Sequence, residues 1–293
     1  MNGDAVSALT DPLPSAERVV PLRHPWTWVA SAFALLLAGG VFISVATNPA
    51  FQWPVVAQYM LDEQILGGLA RTLELTLAAM VMGLVLGTAL AVMRLSRNLL
   101  LSTLSWLYIW FFRSVPVLVQ LIFWYNFGAL YPKIMLWIPF GPVLYSASTN
   151  AVITPLTAAL AGLGLAQAAY TAEVVRAGIV SVPRGQTRAA MALGMRPATI
   201  FVRIVFPQAM RVIIPPVGNE FVGMVKLTSL ASVIQYAEML HNAENIYYAN
   251  ARVIELLIVA GIWYLAVVTV LSLLQSRLEA VFARGTGRAA ARQ

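Results

Sequence analysis

The sequence predicts an all-α integral membrane protein with six transmembrane helices, and three observations carry that reading. Of 293 residues, 60% are hydrophobic and only 11% charged, with a mean hydropathy of +0.77. A soluble domain carries about 25% charged residues to cover its wet surface. Charge-free runs recur at the length of a membrane span. The basic residues, all Arg except Lys133 and Lys226, gather in clusters between those runs, the pattern of the positive-inside rule. This composition excludes an ordinary soluble enzyme and a disordered regulator. The net charge of +7 would suit nucleic acid, but the apolar content argues against that partner. With no Cys there are no disulfides and no thiolate chemistry. His24 and His241 cannot build a His-rich metal site.

Residues 1–24 read as a polar N-terminal tail carrying Arg18 and Arg23. From 26 to 46 no charge occurs, and as a helix the run measures about 31 Å, enough to cross the hydrocarbon core. Residues 25–47 are therefore expected to be an additional N-terminal transmembrane helix. The competing reading is a cleaved signal peptide, whose apolar region would be about 7–15 residues behind a short basic start. A loop with Asn48-Pro49 and Trp53-Pro54 leads to the second helix, 71–93, which ends at Arg94 and Arg97. The next apolar run, 99–127, is too long for one straight span and is interrupted by Arg113-Ser114-Val115-Pro116. A proline inside a helix removes a hydrogen bond and kinks the rod. Broken backbone at membrane depth is tolerated only where protein or a water-filled cavity surrounds it.

Residues 128–150 read as a loop rich in Pro, Gly and aromatics, with room for a short interfacial helix. The fourth helix, 151–176, carries Ala158, Gly162, Ala166 and Ala169 near one face, and such residues let helices approach closely in lipid. Glu173 and Arg176, three apart, are expected to form a local ion pair. The stretch 182–211 holds Arg184, Arg188, Arg196, Arg203 and Arg211, helical in pattern yet not apolar enough to cross. The fifth helix, 212–235, contains Pro215, Pro216, Gly218, Glu220, Gly223 and Lys226. After a loop at 236–251 comes the sixth helix, 252–274, and a basic tail, 276–293. Six spans place both termini on one side. With that side cytoplasmic, the Arg clusters face inward, and the outer loops keep Lys133, with Arg71 and Arg252 at helix edges.

The chain carries no engine of its own. A phosphate-binding loop needs Gly-Lys, but Lys133 follows Pro132 and Lys226 follows Val225. No nucleophile–His–acid set and no His-Glu-x-x-His helix is present. No cofactor or metal is expected on this chain, and energy comes from a partner unless transport is passive. Polar groups inside spans are costly and usually face a cavity or a partner. Gln167, Glu220, Lys226 and Arg113 are such groups. Glu220 shares a helical face with Gly223, Met224 and Leu227, while Gln167 lines up with Thr171. In the plainer reading, Glu220 and Lys226 pair or cap broken helices, and Arg113 with Pro116 is structural or gating.

The Arg-rich stretch is the most specific signal. It reads Arg188-Ala189-Ala190, three residues, Gly194, nine residues, then Ile204-Val205-Phe206-Pro207. This resembles the EAA loop of bacterial ABC-importer permeases, with Arg188 in place of the motif's Glu and Phe206 in place of its Leu. Phe112-Arg113-Ser114-Val115-Pro116, Ala172-Glu173 with Arg176-Ala177-Gly178, Ser181-Val182-Pro183, Phe206-Pro207-Gln208-Ala209 and Gly218-Asn219-Glu220-Phe221 resemble the polar amino acid permease family. That family includes histidine, glutamine, glutamate and arginine/opine systems.

The resemblance covers about residues 68–275. It implies a type I ABC importer permease fold, a five-helix core plus one N-terminal helix, in a bacterial inner membrane. The loop at 184–207 would couple to the ATPase through Arg188, Ala189, Ala190, Gly194, Ile204 and Pro207. Implied partners are two ABC ATPase subunits holding ATP and magnesium, a second permease copy or sister permease, and an extracytoplasmic solute-binding protein. The cargo would be a polar amino acid, contacted at Gln167, Glu220 and Leu227, with Lys226 nearby on the path. Because Leu227 is apolar where many relatives are polar or acidic, a polar or acidic amino acid is expected rather than arginine or lysine. A secondary transporter or channel would need ion-coupling carboxylates or an inverted repeat. A membrane enzyme would need a catalytic constellation. Neither is apparent.

Overall fold

The computed structural model describes residues 25–138 and 141–283. The expected N-terminal tail, 1–24, and the end of the basic tail, 284–293, lie outside the described residues. The chain divides into two units, Met1–Phe51 and Gln52–Gln293. The first holds α1, Pro25–Thr47, with no charged side chain along its length and a span's worth of apolar residues.

The second unit begins with α2, Trp53–Tyr59, and α3, Glu63–Leu95. The Asp62 carboxylate accepts from the Gln64 N–H and starts α3 well before the expected residue 71. Asn98 caps α4, Leu99–Ser114, by accepting from the N–H groups of Leu100 and Leu101. A break at Val115-Pro116 separates it from α5, Val117–Tyr125, and the two helices meet at 99°.

One turn, α6 (Phe127–Leu130), leads into a two-stranded antiparallel hairpin. Its strands are β1, Lys133–Trp137, and β2, Val143–Ser148, with Lys133 opposite Ser148. The sequence reading had only a loop here. Runs of five and six residues among Pro and Gly give too little alternation to announce strands. After α7, Thr149–Val152, the central helix α8, Pro155–Val180, opens on a Thr154–Thr157 capping box with Pro155 in its first turn.

Helix α8 is the hub. Two thirds of its apolar window is buried, and it packs most extensively against α3 and also against α4, α5 and α11. The helices approach this closely because Gly83 and Gly87 of α3, one turn apart, face Gln167, Ala168 and Thr171. The main core joins Leu75, Met80, Leu121, Leu163, Met224 and Ile234.

Beyond α8 come α9, Arg184–Ala192, and α10, Pro197–Ile200, then a π-helical turn over Phe201–Val205. Helix α11, Phe206–Leu227, continues as a 3-10 helix to Ile234. The expected loop at 236–251 instead contains α12, Met239–Asn250. Its cap is Glu238, whose carboxylate takes the N–H groups of Leu240 and His241. Glu is not among the usual N-cap residues, so the sequence does not flag this start. Tyr264 also donates to Glu238, tying α12 to the last helix, α13, Val253–Ala283.

Among the described residues five helices are long and apolar enough to cross a membrane, six with the bent α4–α5 pair as one span. That range includes the six expected from the sequence.

Candidate functional site

The structure brings Gln167 and Glu220 together across α8 and α11. The Gln167 Nε2 donates to the Glu220 carboxylate at 2.6 Å and to the Thr171 hydroxyl at 3.1 Å, while Thr171 donates to the same carboxylate at 3.4 Å. Gln167 and Thr171 are buried, whereas Glu220 is partly buried. The two α8 donors hold one face of the carboxylate and leave lone pairs for another donor.

Two glycines that the sequence reading did not single out build this site. A Cβ on Gly83 would lie 2.4 Å from Gln167 Cγ, and one on Gly87 would lie 2.7 Å from the Ala168 carbonyl oxygen and from Thr171 Cβ. Their signal was present as Gly83-Leu-Val-Leu-Gly87, the small-residue spacing of close helix pairs. Gly83→Ala is expected to displace Gln167 and destabilise the chain by about 1–3 kcal/mol, the range for overpacking. Gly67 of α3 faces open space. Gly67→Ala should therefore raise stability, by up to about 1 kcal/mol from helix propensity. Thermal melting in detergent measures both, and equal effects would refute the packing argument.

Leu227 does not join the pair, because it packs against the main core. Lys226 is exposed and lines a groove of about 370 Å³ between α11 and α13, with Asn219, Ser272, Gln275 and Glu279. Glu173 and Arg176 pair at 2.7 Å as expected.

Arg113 lies in the last turn of α4, its guanidinium 5.3 Å from the centre of the Tyr170 ring. The break that follows is stapled by a residue the sequence reading overlooked. Pro116 has no N–H for the Phe112 carbonyl four residues back. The Gln120 Nε2 donates to that oxygen at 3.1 Å and to the Val115 carbonyl at 2.9 Å. A buried amide at the first turn beyond a proline is the pattern that could have revealed it.

The EAA-like segment forms a compact projection. Gly194 has φ +76°, and the pair Gly194 N–H to Met191 O and Met195 N–H to Ala190 O completes a Schellman stop for α9. Ala190 is buried, while Arg188, Ala189, Met191 and Leu193 are exposed, Leu193 at 82%. Gln208 donates to Gln186 at 2.6 Å, linking the projection to the base of α11. Ile204 sits in the π turn, and Pro207 follows in the first turn of α11, where a missing N–H is tolerated.

Among the described residues no cluster of His, Asp and Glu could hold a metal. Helical spans around a polar contact at membrane depth, with a capped projection outside them, define a polytopic permease subunit. Residues 79–284 match the family of binding-protein-dependent transport system inner membrane components, and the chain belongs to that family. It is the permease component of a binding-protein-dependent amino acid ABC importer, a multi-pass inner membrane protein and not the ATPase.

It is 42% identical over 270 residues to the arginine transport system permease protein ArgU of Corynebacterium glutamicum, covering 92% of this chain and 84% of that one. It is 37% identical to the nopaline transport system permease protein NocM of Agrobacterium fabrum, covering 71% and 83%. A crystal structure of an amino acid ABC transporter with histidines superposes with a TM-score of 0.63 at 32% identity, covering 74% of this chain and 93% of that one.

Proposed function

We propose that this chain, paired with an identical or sister permease and two ATPases, receives an amino acid from a binding protein and passes it through the Glu220 site. The observation that carries this reading is the Gln167–Glu220 contact. A carboxylate at membrane depth is costly to expose to lipid, and here two neutral donors orient it without neutralising it. It is free to take an α-ammonium group, a charge-assisted contact common to all amino acids. ATP and magnesium are held by the partner ATPase, against which the Arg188–Gly194 projection docks.

Two of the relatives bear the names of guanidinium-containing substrates, arginine and nopaline. Those names outweigh the expectation drawn from the apolar Leu227, and L-arginine is the first cargo to test. Proteoliposomes holding the assembled complex and internal ATP, supplied with binding protein and labelled L-arginine, should accumulate label. Uptake of other polar amino acids with none of arginine would replace the cargo.

The orientation proposed puts both termini and the coupling projection in the cytoplasm. Single cysteines at Ser7 and Ser148, probed with an impermeant maleimide in intact cells, should label only at 148. Labelling at 7 would invert or shorten the topology.

A further inference from the structure

A cavity of about 510 Å³ lies between α4 and α8, and the residues of the Gln167–Glu220 contact take no part in its wall. Arg94, Trp106, Trp110, Arg113, Tyr170 and Glu173 line it. Its walls are fixed by hydrogen bonds. The Ser105 hydroxyl donates to the Leu90 carbonyl at 2.7 Å, joining α4 to α3, and the Tyr108 hydroxyl donates to the Leu165 carbonyl at 3.0 Å, joining α4 to α8. Arg94 Nη1 donates to the Ser102 hydroxyl at 2.9 Å.

The charge in this cavity is unbalanced. Arg176 holds Glu173 through both Nε and Nη2. Among the described residues neither Arg94 nor Arg113 is in an ion pair. A cation entering the cavity meets a carboxylate already taken, whereas an anion meets two guanidiniums, one of them steadied over the Tyr170 ring. Arg94 stands in the last turn of α3 and Glu173 two turns before the end of α8, the ends that lead to the Arg97 loop and to the coupling projection. Trp106 and Trp110 stack with ring centres 6.3 Å apart, and both are about half exposed. Tryptophans at a membrane boundary sit at headgroup level, and basic pockets between spans on the cytoplasmic side hold anionic headgroups.

We propose that this cavity binds the phosphate-bearing headgroup of an anionic phospholipid of the cytoplasmic leaflet, held by Arg94 and Arg113. This rests on the orientation that puts the coupling projection in the cytoplasm. Each planar guanidinium fork can bond two phosphate oxygens, and the acyl chains would run past Trp106 and Trp110.

Native mass spectrometry of the purified permease–ATPase complex, released from nanodiscs of phosphatidylglycerol and phosphatidylcholine in equal parts, tests this. The wild-type complex should retain phosphatidylglycerol over phosphatidylcholine by about thirtyfold, and Arg94→Gln and Arg113→Gln should each lower that preference about fivefold. Ser114→Asp, which puts a carboxylate into the cavity wall with both arginines in place, should lower it as well. Arg97→Gln removes the same charge from the exposed loop beyond α3 and should leave the preference within about twofold, because charge outside the cavity makes no bond to the phosphate. Equal retention of the two lipids by the wild type, or a loss in the Arg97 variant as large as in the cavity variants, would overturn the proposal. Inorganic phosphate bound in calorimetry without any lipid preference would assign the cavity to a free anion and overturn it too. Both leaflets of the nanodisc have one composition, so an inverted orientation would leave the lipid preference in place and show only in the maleimide labelling.

Discussion

Glu220→Gln is expected to reduce uptake at least tenfold in a complex that still assembles. The substitution keeps the size of the side chain and its hydrogen bonds to Gln167 and Thr171 can re-form, so the α8–α11 contact survives. What is lost is the charge that meets the α-ammonium. Hydrogen bonds to charged groups contribute about 1.5–3 kcal/mol, roughly ten- to hundredfold in affinity. Basal ATP hydrolysis and co-purification with the ATPase should be unchanged, because the Gln186–Gln208 link and the Gly194 stop do not involve this side chain. Wild-type uptake kinetics in this variant would make Glu220 a packing residue.

The second large effect is expected at Gly194. Its positive φ is the left-handed conformation that a β-branched residue adopts only with strain. No neighbouring atom lies within 4 Å of its missing Cβ. Gly194→Val would therefore act on the local backbone alone, by unmaking the Schellman stop that aims Met191 and Leu193 outward. Membrane insertion and thermal stability should hold, while substrate-stimulated ATP hydrolysis falls about tenfold or more and the ATPase dissociates more readily. Stimulated turnover equal to wild type would remove the coupling role of this projection.

Much of the architecture was legible because membrane spans are written in composition over about twenty residues. The ends were less so. Asp62 and Thr154 set helix starts through side-chain caps, and a hydropathy run does not register a cap. Helix α12 was missed because its cap is Glu238 and its surface is polar. The hairpin was missed because its strands are short.

At the site, Gln167, Thr171 and Glu220 were each readable as polar residues in apolar surroundings. That Gln167 and Glu220 meet, 53 positions apart, was not written in either helix. Contact depends on the α3–α8 approach that Gly83 and Gly87 permit, and a missing side chain attracts no notice in a search for chemistry. The resemblance placed Leu227 on the path, and in the fold it is partly buried and packs against the main core.

The most direct measurement of the central claim is an electron cryo-microscopy structure of the nucleotide-free complex saturated with the amino acid it transports. Ligand density should lie against Glu220, its ammonium end within hydrogen-bond distance of the carboxylate that Gln167 orients. Density confined to the separate cavity beside Asn126 and Asn150, or a Glu220 carboxylate that meets no ligand, would contradict the account.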